Sequence, residues 1–127
     1  MQNQKSALGL EPNVTALIGY LIGIVALILI FIEKDNKFVR FHSLQSVLWS
    51  AACTIGLIVI GIGGFIISLI LSQVSGTLGW IAGSLTFLLY LVLILGLIAG
   101  LIYGAIKSYG GAMFKLPIVG NFAEKWQ

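Results

Sequence analysis

The stretch FIEKDNKFVRFHSLQS (residues 31–46) sets the organisation of the chain, because it concentrates charge between two long apolar runs. The 127 residues include seven Lys and Arg, four Asp and Glu, and one His. Half of these ionisable side chains fall between residues 33 and 42. A short charged segment between apolar runs is typical of a connector between membrane helices.

Composition places the whole chain in the membrane class. It is 59% hydrophobic and 9% charged, whereas soluble domains carry about 25% charged residues. The length predicts a single membrane domain, residues 1–127. The lone Cys53 excludes an intrachain disulfide, and the sequence has no metal-ligand spacing. No basic cluster suits nucleic acid. We therefore expect the lipid bilayer as a partner, with no cofactor, metal or nucleic acid.

Three apolar runs have the length of membrane spans. Residues 14–32 form a charge-free run of 19 residues, and a helix needs about 20 residues to cross the hydrocarbon. Residues 43–106 lack Asp, Glu, Lys, Arg and His altogether. That run is long enough for two spans, with a polar, glycine-bearing break at 72–80. The sequence predicts spans near 14–32, 47–71 and 81–106.

The predicted fold is an all-α bundle of three transmembrane helices with an amphipathic interfacial segment at its C-terminus. Residues 33–46 form the connector, and residues 107–127 lie along the membrane surface or, alternatively, make a short re-entrant turn. Basic residues follow the first and third predicted spans. The positive-inside rule then places the connector and the C-terminus in the cytoplasm. We expect a multi-pass plasma-membrane protein with its N-terminus outside.

A polar stripe runs from the connector into the second predicted span. At 100° per residue, His42, Gln45, Ser46 and Trp49 share one helical face, and we call these four residues the polar stripe. Hydrocarbon penalises unpaired polar groups, so the stripe should face protein or water. It serves either interhelical hydrogen bonding or contact with a partner or substrate at the cytoplasmic face. The candidate contact residues are Phe38, Arg40, Phe41, His42, Gln45, Ser46 and Trp49.

Small residues recur at helical spacing in two of the predicted spans. Gly96, Gly100 and Gly104 follow one another at every fourth position, and Gly19 and Gly23 make a shorter pair. Such spacing lets helix backbones approach closely. The rows predict packing within one chain or association between copies.

Enzymatic chemistry is not indicated. His42 and Ser46 lie one helical turn apart, which suits a base and a nucleophile. No carboxylate lies at a close helical spacing to orient the imidazole, and known catalytic motifs are absent. The predicted spans also lack the intramembrane carboxylate or histidine that coupled transporters use. We expect no enzyme and no coupled pump.

Several motifs resemble one family of small prokaryotic membrane proteins. They are LGLEPN at 8–13, EK at 33–34, FVRFH at 38–42 followed by QS at 45–46, and FKLPIVGNFAEK at 114–125. This family is grouped with the twenty-kilodalton subunit of the chloroplast inner-envelope import translocon. That subunit is thought to help form a protein-conducting channel and has four membrane helices. The resemblance implies a membrane protein and directs attention to residues 38–46.

The sequence thus favours a non-enzymatic membrane protein that acts through contacts with other membrane proteins or polypeptides, in a translocon-like way. The alternative is a passive channel or holin-like permeability protein assembled from several copies of this chain.

Overall fold

The computed structural model describes residues 5–127 and is all-helical over that range. Its helices are α1 (Pro12–Leu21), α2 (Gly23–Ile32), α3 (Lys37–Val74), α4 (Gly76–Tyr109) and α5 (Val119–Trp126). The prediction of an all-α fold is confirmed. Within residues 5–127, two helices, α3 and α4, are long and apolar enough to cross a membrane.

The first predicted span is wrong, because residues 14–32 do not form one helix. The helix ends at Leu21, and Ile22 adopts an extended conformation with φ −124° and ψ 97°. A Cβ at Gly19 would lie 3.6 Å from the Cβ of Ala26. In a continuous helix these positions would be about 10 Å apart along the axis. The helices α1 and α2 therefore fold back on each other as a hairpin.

Neither arm of this hairpin is long enough to cross a bilayer. Each arm has ten residues and is about 15 Å long, whereas the hydrocarbon core is about 30 Å thick. Close packing of Gly19 on Ala26 and Leu29 stabilises the reversal. The return of the chain brings the buried Glu33 to the N-terminal segment, where its carboxylate accepts a hydrogen bond from Ala7 N.

The helix α3 begins well before the second predicted span. Asn36 caps it, because its side-chain oxygen accepts a bond from Val39 N at 3.3 Å. Its 38 residues extend for about 57 Å, so α3 includes most of the predicted connector as well as a span. The connector is non-helical at residues 33–36.

The end of α4 is a Schellman motif. Gly111 has φ 84°, Gly111 N donates to Ser108 O at 3.0 Å, and Ala112 N donates to Lys107 O at 3.0 Å. This arrangement satisfies carbonyls at the end of the helix and turns the chain. Residues 110–127, which we call the tail, leave α4 here.

The chain divides into two compact units. Unit 2 is Ala52–Leu97, and unit 1 is Met1–Ala51 with Ile98–Gln127, described from residue 5 onward. Unit 2 is an antiparallel pair formed by the second part of α3 and the first part of α4. Its helices meet closely where a Cβ at Gly64 would collide with Thr86 and one at Gly79 would lie 2.7 Å from Ser72 Cβ.

Unit 1 packs the α1–α2 hairpin and the tail against the first turns of α3 and the last turns of α4. One apolar cluster joins the hairpin to α3, and a second joins α1, α4 and the tail. A third joins α3 to α5. Their buried members are Ala16, Leu29, Phe38 and Val39; Tyr20, Ala105, Leu116 and Val119; and Phe41, Leu44 and Ala123.

Candidate functional site

The polar stripe lies inside unit 1. His42, Gln45 and Ser46 are almost fully buried. Trp49 is half-buried, and its indole packs where α4 carries Gly100. The stripe therefore faces protein, as the cost of unpaired polar groups in hydrocarbon requires.

Aromatic rings enclose the histidine. The rings of Phe38 and Phe41 lie edge-on to the His42 imidazole, with centroid separations of 4.6 and 5.0 Å. Both phenylalanines are buried in unit 1. These candidate contact residues thus pack within the chain in this conformation.

The Gln45 carboxamide pairs with the main chain of the tail. Its Nε2 donates to Phe114 O at 2.8 Å, and its Oε1 accepts from Leu116 N at 2.8 Å. A main-chain carbonyl can only accept and an N–H can only donate, so both bonds fix the orientation of the amide. The carboxamide contacts two alternate residues as a neighbouring β-strand would.

A second series of hydrogen bonds determines the protonation state of His42. Gln45 Nε2 also donates to Tyr20 Oη at 2.7 Å. Tyr20 Oη lies 2.7 Å from His42 Nδ1, and His42 Nε2 lies 2.9 Å from Ala112 O. The carbonyl requires a proton on Nε2, so the tyrosine hydroxyl can donate to an unprotonated Nδ1. The geometry therefore favours a neutral imidazole.

Two further polar residues join the hairpin to α3. Ser46 Oγ donates to Gly19 O at 2.9 Å, close to the turn between α1 and α2. Arg40 donates through Nη1 to Ile30 O at 2.9 Å and to Glu33 O at 2.7 Å. These bonds satisfy carbonyls at the end of α2, which would otherwise lack helical partners.

Arg40 also reaches the tail. Its Nε donates to Gln127 O at 2.9 Å. The guanidinium thus links the end of α2 with the end of the tail. Arg40 lies off the polar stripe, but it contributes to the same assembly of hairpin, α3 and tail.

The glycines of the predicted rows differ in what surrounds them. A Cβ at Gly100 would collide with Trp49, and one at Gly104 would lie 2.5 Å from the Tyr20 ring. Both residues therefore provide packing space inside the chain. A Cβ at Gly96 or Gly23 meets nothing within 4 Å. The break at Ile22 places Gly19 and Gly23 in different helices, so they form no common groove.

Sequence reasoning missed two components of the site, Tyr20 and the segment 112–116. Tyr20 places a hydroxyl group within the apolar run that predicted the first span. One such hydroxyl is only a weak indication of a site. The tail contributes main-chain atoms, and no residue type marks such atoms in a sequence. Among residues 5–127, no three His, Cys, Asp or Glu side chains gather where they could hold a metal ion. The chemistry that the site displays is hydrogen bonding to polypeptide.

Relatives of the chain are membrane proteins of archaea. Two UPF0132 membrane proteins of Methanocaldococcus jannaschii are 34% and 30% identical to it; they match 96% and 94% of this chain and 94% and 73% of their own lengths. A UPF0132 membrane protein of Archaeoglobus fulgidus is 29% identical over 91% of this chain and 95% of its own. No solved structure matches the chain.

These relatives and the two apolar helices identify a membrane protein, and the expectation of a prokaryotic membrane-protein family is confirmed. A family profile matches residues 5–123, which is nearly the whole chain. The chain belongs to the family described as the magnetosome magnetite crystal formation protein family.

Proposed function

We propose that this protein is a non-enzymatic membrane component that works by contacting other polypeptides through unit 1. One observation carries the proposal: Gln45 pairs through its carboxamide with the main chain at Phe114 and Leu116. His42 and Gln45 of the polar stripe thus bind the main chain of a non-helical segment, which in this conformation is the tail. The resemblance to a chloroplast import translocon subunit supports the same class of function.

The two-span structure supports a revised orientation in the membrane. The helices α1 and α2 return the chain to the side from which it came. Asn13 Nδ2 at the start of α1 donates to Tyr109 O at the end of α4 at 3.0 Å. All seven Lys and Arg residues, including Lys5, then lie on one side, and the positive-inside rule makes that side cytoplasmic. We propose that both termini are cytoplasmic, in place of the N-terminus outside.

The family description names magnetite crystal formation. No cluster of metal-ligating side chains occurs in the part of the chain that the structure describes. We propose that a protein with this site would serve such a role by contacting other proteins through unit 1.

The test is photo-crosslinking in cells. A p-benzoylphenylalanine probe replaces Tyr103, which is exposed and lies beside Phe114 but belongs to α4, so it stays at the site when another segment takes the place of the tail. A matched probe replaces the exposed Trp80 in unit 2. We expect a specific adduct with another protein from position 103 and none from position 80. Adducts to lipid alone from both positions would refute the proposal.

The alternative function is a passive channel formed by several copies. It draws support from unit 2, where Gly96 leaves open space on α4 and large apolar side chains are exposed. In this reading, purified protein conducts ions across planar bilayers. A verified oligomer that leaves bilayers silent would exclude it. Gly100→Leu is a poor test of assembly, because Gly100 already packs on Trp49 within the chain.

A further inference from the structure

We infer that the groove of unit 1 that holds residues 112–116 is an exchangeable polypeptide-binding groove, in which the tail is a displaceable occupant. The partner is an extended cytoplasmic segment of another protein, with apolar side chains at alternate positions. This inference rests on the proposed function and adds the chemistry of the partner and the regulation of the site.

The groove recognises main-chain groups of alternate residues. His42 contacts Ala112 O, and Gln45 contacts Phe114 O and Leu116 N. Main-chain recognition of an extended segment depends little on its side chains, and pockets for alternate side chains then provide specificity. The arrangement therefore accepts other extended segments as well as the tail.

Two apolar sites define the side chains that fit. Leu116 is buried beside Tyr20 and Ala105, and the Phe114 ring lies edge-on to Tyr103 with centroids 4.7 Å apart. Lys115, between them, is half-exposed and forms an ion pair with Glu124 of the tail. The groove thus selects an apolar residue, an unrestricted residue and a second apolar residue in sequence.

The tail is a strained occupant. Ile118 has φ 66° and ψ −61°, and Val119 N donates to Pro117 O at 2.7 Å. These values define the γ-turn of positive φ, which is rare and strained, above all for a β-branched residue. The Ile118 side chain is 76% exposed, so burial does not offset the strain. A segment that continues without this turn avoids the cost and can compete with the tail.

Gly120 provides a way to release the tail. A Cβ at this position would lie 2.5 Å from Lys115 Cβ and 2.9 Å from Gln45 Oε1. Gly120→Leu should therefore push the tail out of the groove. Leu116→Asp releases it independently, by placing a charge in an apolar pocket. Gly110→Ala is the matched control, because its Cβ would meet carbonyl oxygens at 3.5 and 3.7 Å.

The experiment measures binding of a fluorescent peptide, AMFKLP-amide (residues 112–117), to full-length protein in nanodiscs. We expect both releasing variants to bind at least tenfold more tightly than wild type, and Gly110→Ala to bind like wild type. Adding Gln45→Ala to Gly120→Leu should weaken binding about tenfold. The peptide AMKKKP-amide, with lysine at both apolar positions, should not compete.

Ile118→Gly tests the strain argument in a variant that keeps the tail in place. Glycine adopts positive φ readily, so the tail should hold the groove more firmly and peptide binding should fall severalfold below wild type. Unchanged binding in Ile118→Gly, together with no saturable binding to folded Gly120→Leu or Leu116→Asp, would overturn the inference. So would peptide binding that Gln45→Ala leaves intact.

The in-cell adducts separate this inference from the proposed function. Peptide binding without any heteroprotein adduct from position 103 would preserve the groove and refute the proposed cellular role. Adducts between differently tagged copies would identify the tail of a second copy as the occupant and overturn the heterologous partner.

Discussion

Units 1 and 2 stabilise helices by different chemistry. Unit 2, residues 52–97, has no Asp, Glu, Lys, Arg or His. Hydroxyls of Ser68, Ser72 and Thr86 bond to carbonyls of their own helix, as Ser68 does to Gly64 O at 2.7 Å and Thr86 to Ala82 O at 2.9 Å. In unit 1, polar side chains join residues far apart in sequence, as Gln45 does with Phe114.

The difference shows which part of the molecule has a specified tertiary structure. Local hydroxyl bonds leave the pairing of two helices to close packing of small residues. Long-range bonds between buried groups fix one arrangement, because a displaced partner leaves a buried polar group unsatisfied. Unit 2 exposes the large apolar surface that a lipid environment covers. Unit 1 holds the site.

The largest expected effect concerns the side of the membrane on which the N-terminus lies. In a Cys53→Ser background, Leu8→Cys should react with an impermeant maleimide from the cytoplasmic side, like Lys125→Cys. Thr77→Cys, next to the turn between α3 and α4, should react from the outside. Labelling of Leu8→Cys from the outside would mean that residues 14–32 cross the membrane and that the hairpin of unit 1 does not form.

Loss of the Gln45 carboxamide should strongly destabilise unit 1. Gln45→Ala removes bonds to Tyr20, Phe114 and Leu116. Because main-chain groups of the tail are left buried, we expect a loss of about 2–4 kcal/mol. Ser72→Ala is the control in unit 2, since its hydroxyl bonds within its own helix; it should change the stability by less than about 0.5 kcal/mol. The free energy of unfolding by SDS titration in micelles measures both.

Glycine-to-alanine substitutions at two positions of α4 should change the free energy of unfolding in opposite directions. Gly100→Ala places a methyl group against the Trp49 indole, and overpacking of this kind costs about 1–3 kcal/mol. Gly96→Ala meets nothing within 4 Å and should gain about 0.5–1 kcal/mol from helix propensity. Equal effects in the SDS titration would mean that the two glycines do not differ in packing.

The helical architecture follows closely from the sequence, whereas the number of spans does not. Uninterrupted apolar runs predicted α3 and α4 because hydropathy reports what lipid can cover. Hydropathy did not indicate the reversal at Ile22, because an apolar residue at a reversal is as hydrophobic as one inside a helix. The Gly110–Gly111 pair carried a readable signal for the end of α4, because glycine favours the positive φ of the C-cap.

The polar stripe was predictable as a face, but its partners were not. Helical periodicity placed His42, Gln45 and Ser46 together. The structure links His42 and Gln45 through Tyr20, whereas Ser46 bonds separately to Gly19 O. Their partners are main-chain atoms at Ala112 and Gly19, among others. Contacts with main-chain atoms leave little trace in residue type, so only the tertiary fold identifies them. Whether another polypeptide uses these contacts stays a prediction.

The smallest expected change in the free energy of unfolding comes from replacing two serines on α3 with alanine. Ser46→Ala removes the bond to Gly19 O and should cost about 1 kcal/mol, because that carbonyl lies beside the reversal between α1 and α2. Ser43 Oγ is buried without a partner among the described residues. Ser43→Ala removes an unsatisfied hydroxyl and should be neutral or stabilising by up to about 1 kcal/mol.

Both serines share one helix, one degree of burial and one substitution, so the difference between them isolates the hydrogen bond. Equal losses in the SDS titration would mean that burial alone determines the effect. That result would contradict specification of unit 1 by long-range polar contacts, and the two units would then differ in composition rather than in the chemistry that stabilises them.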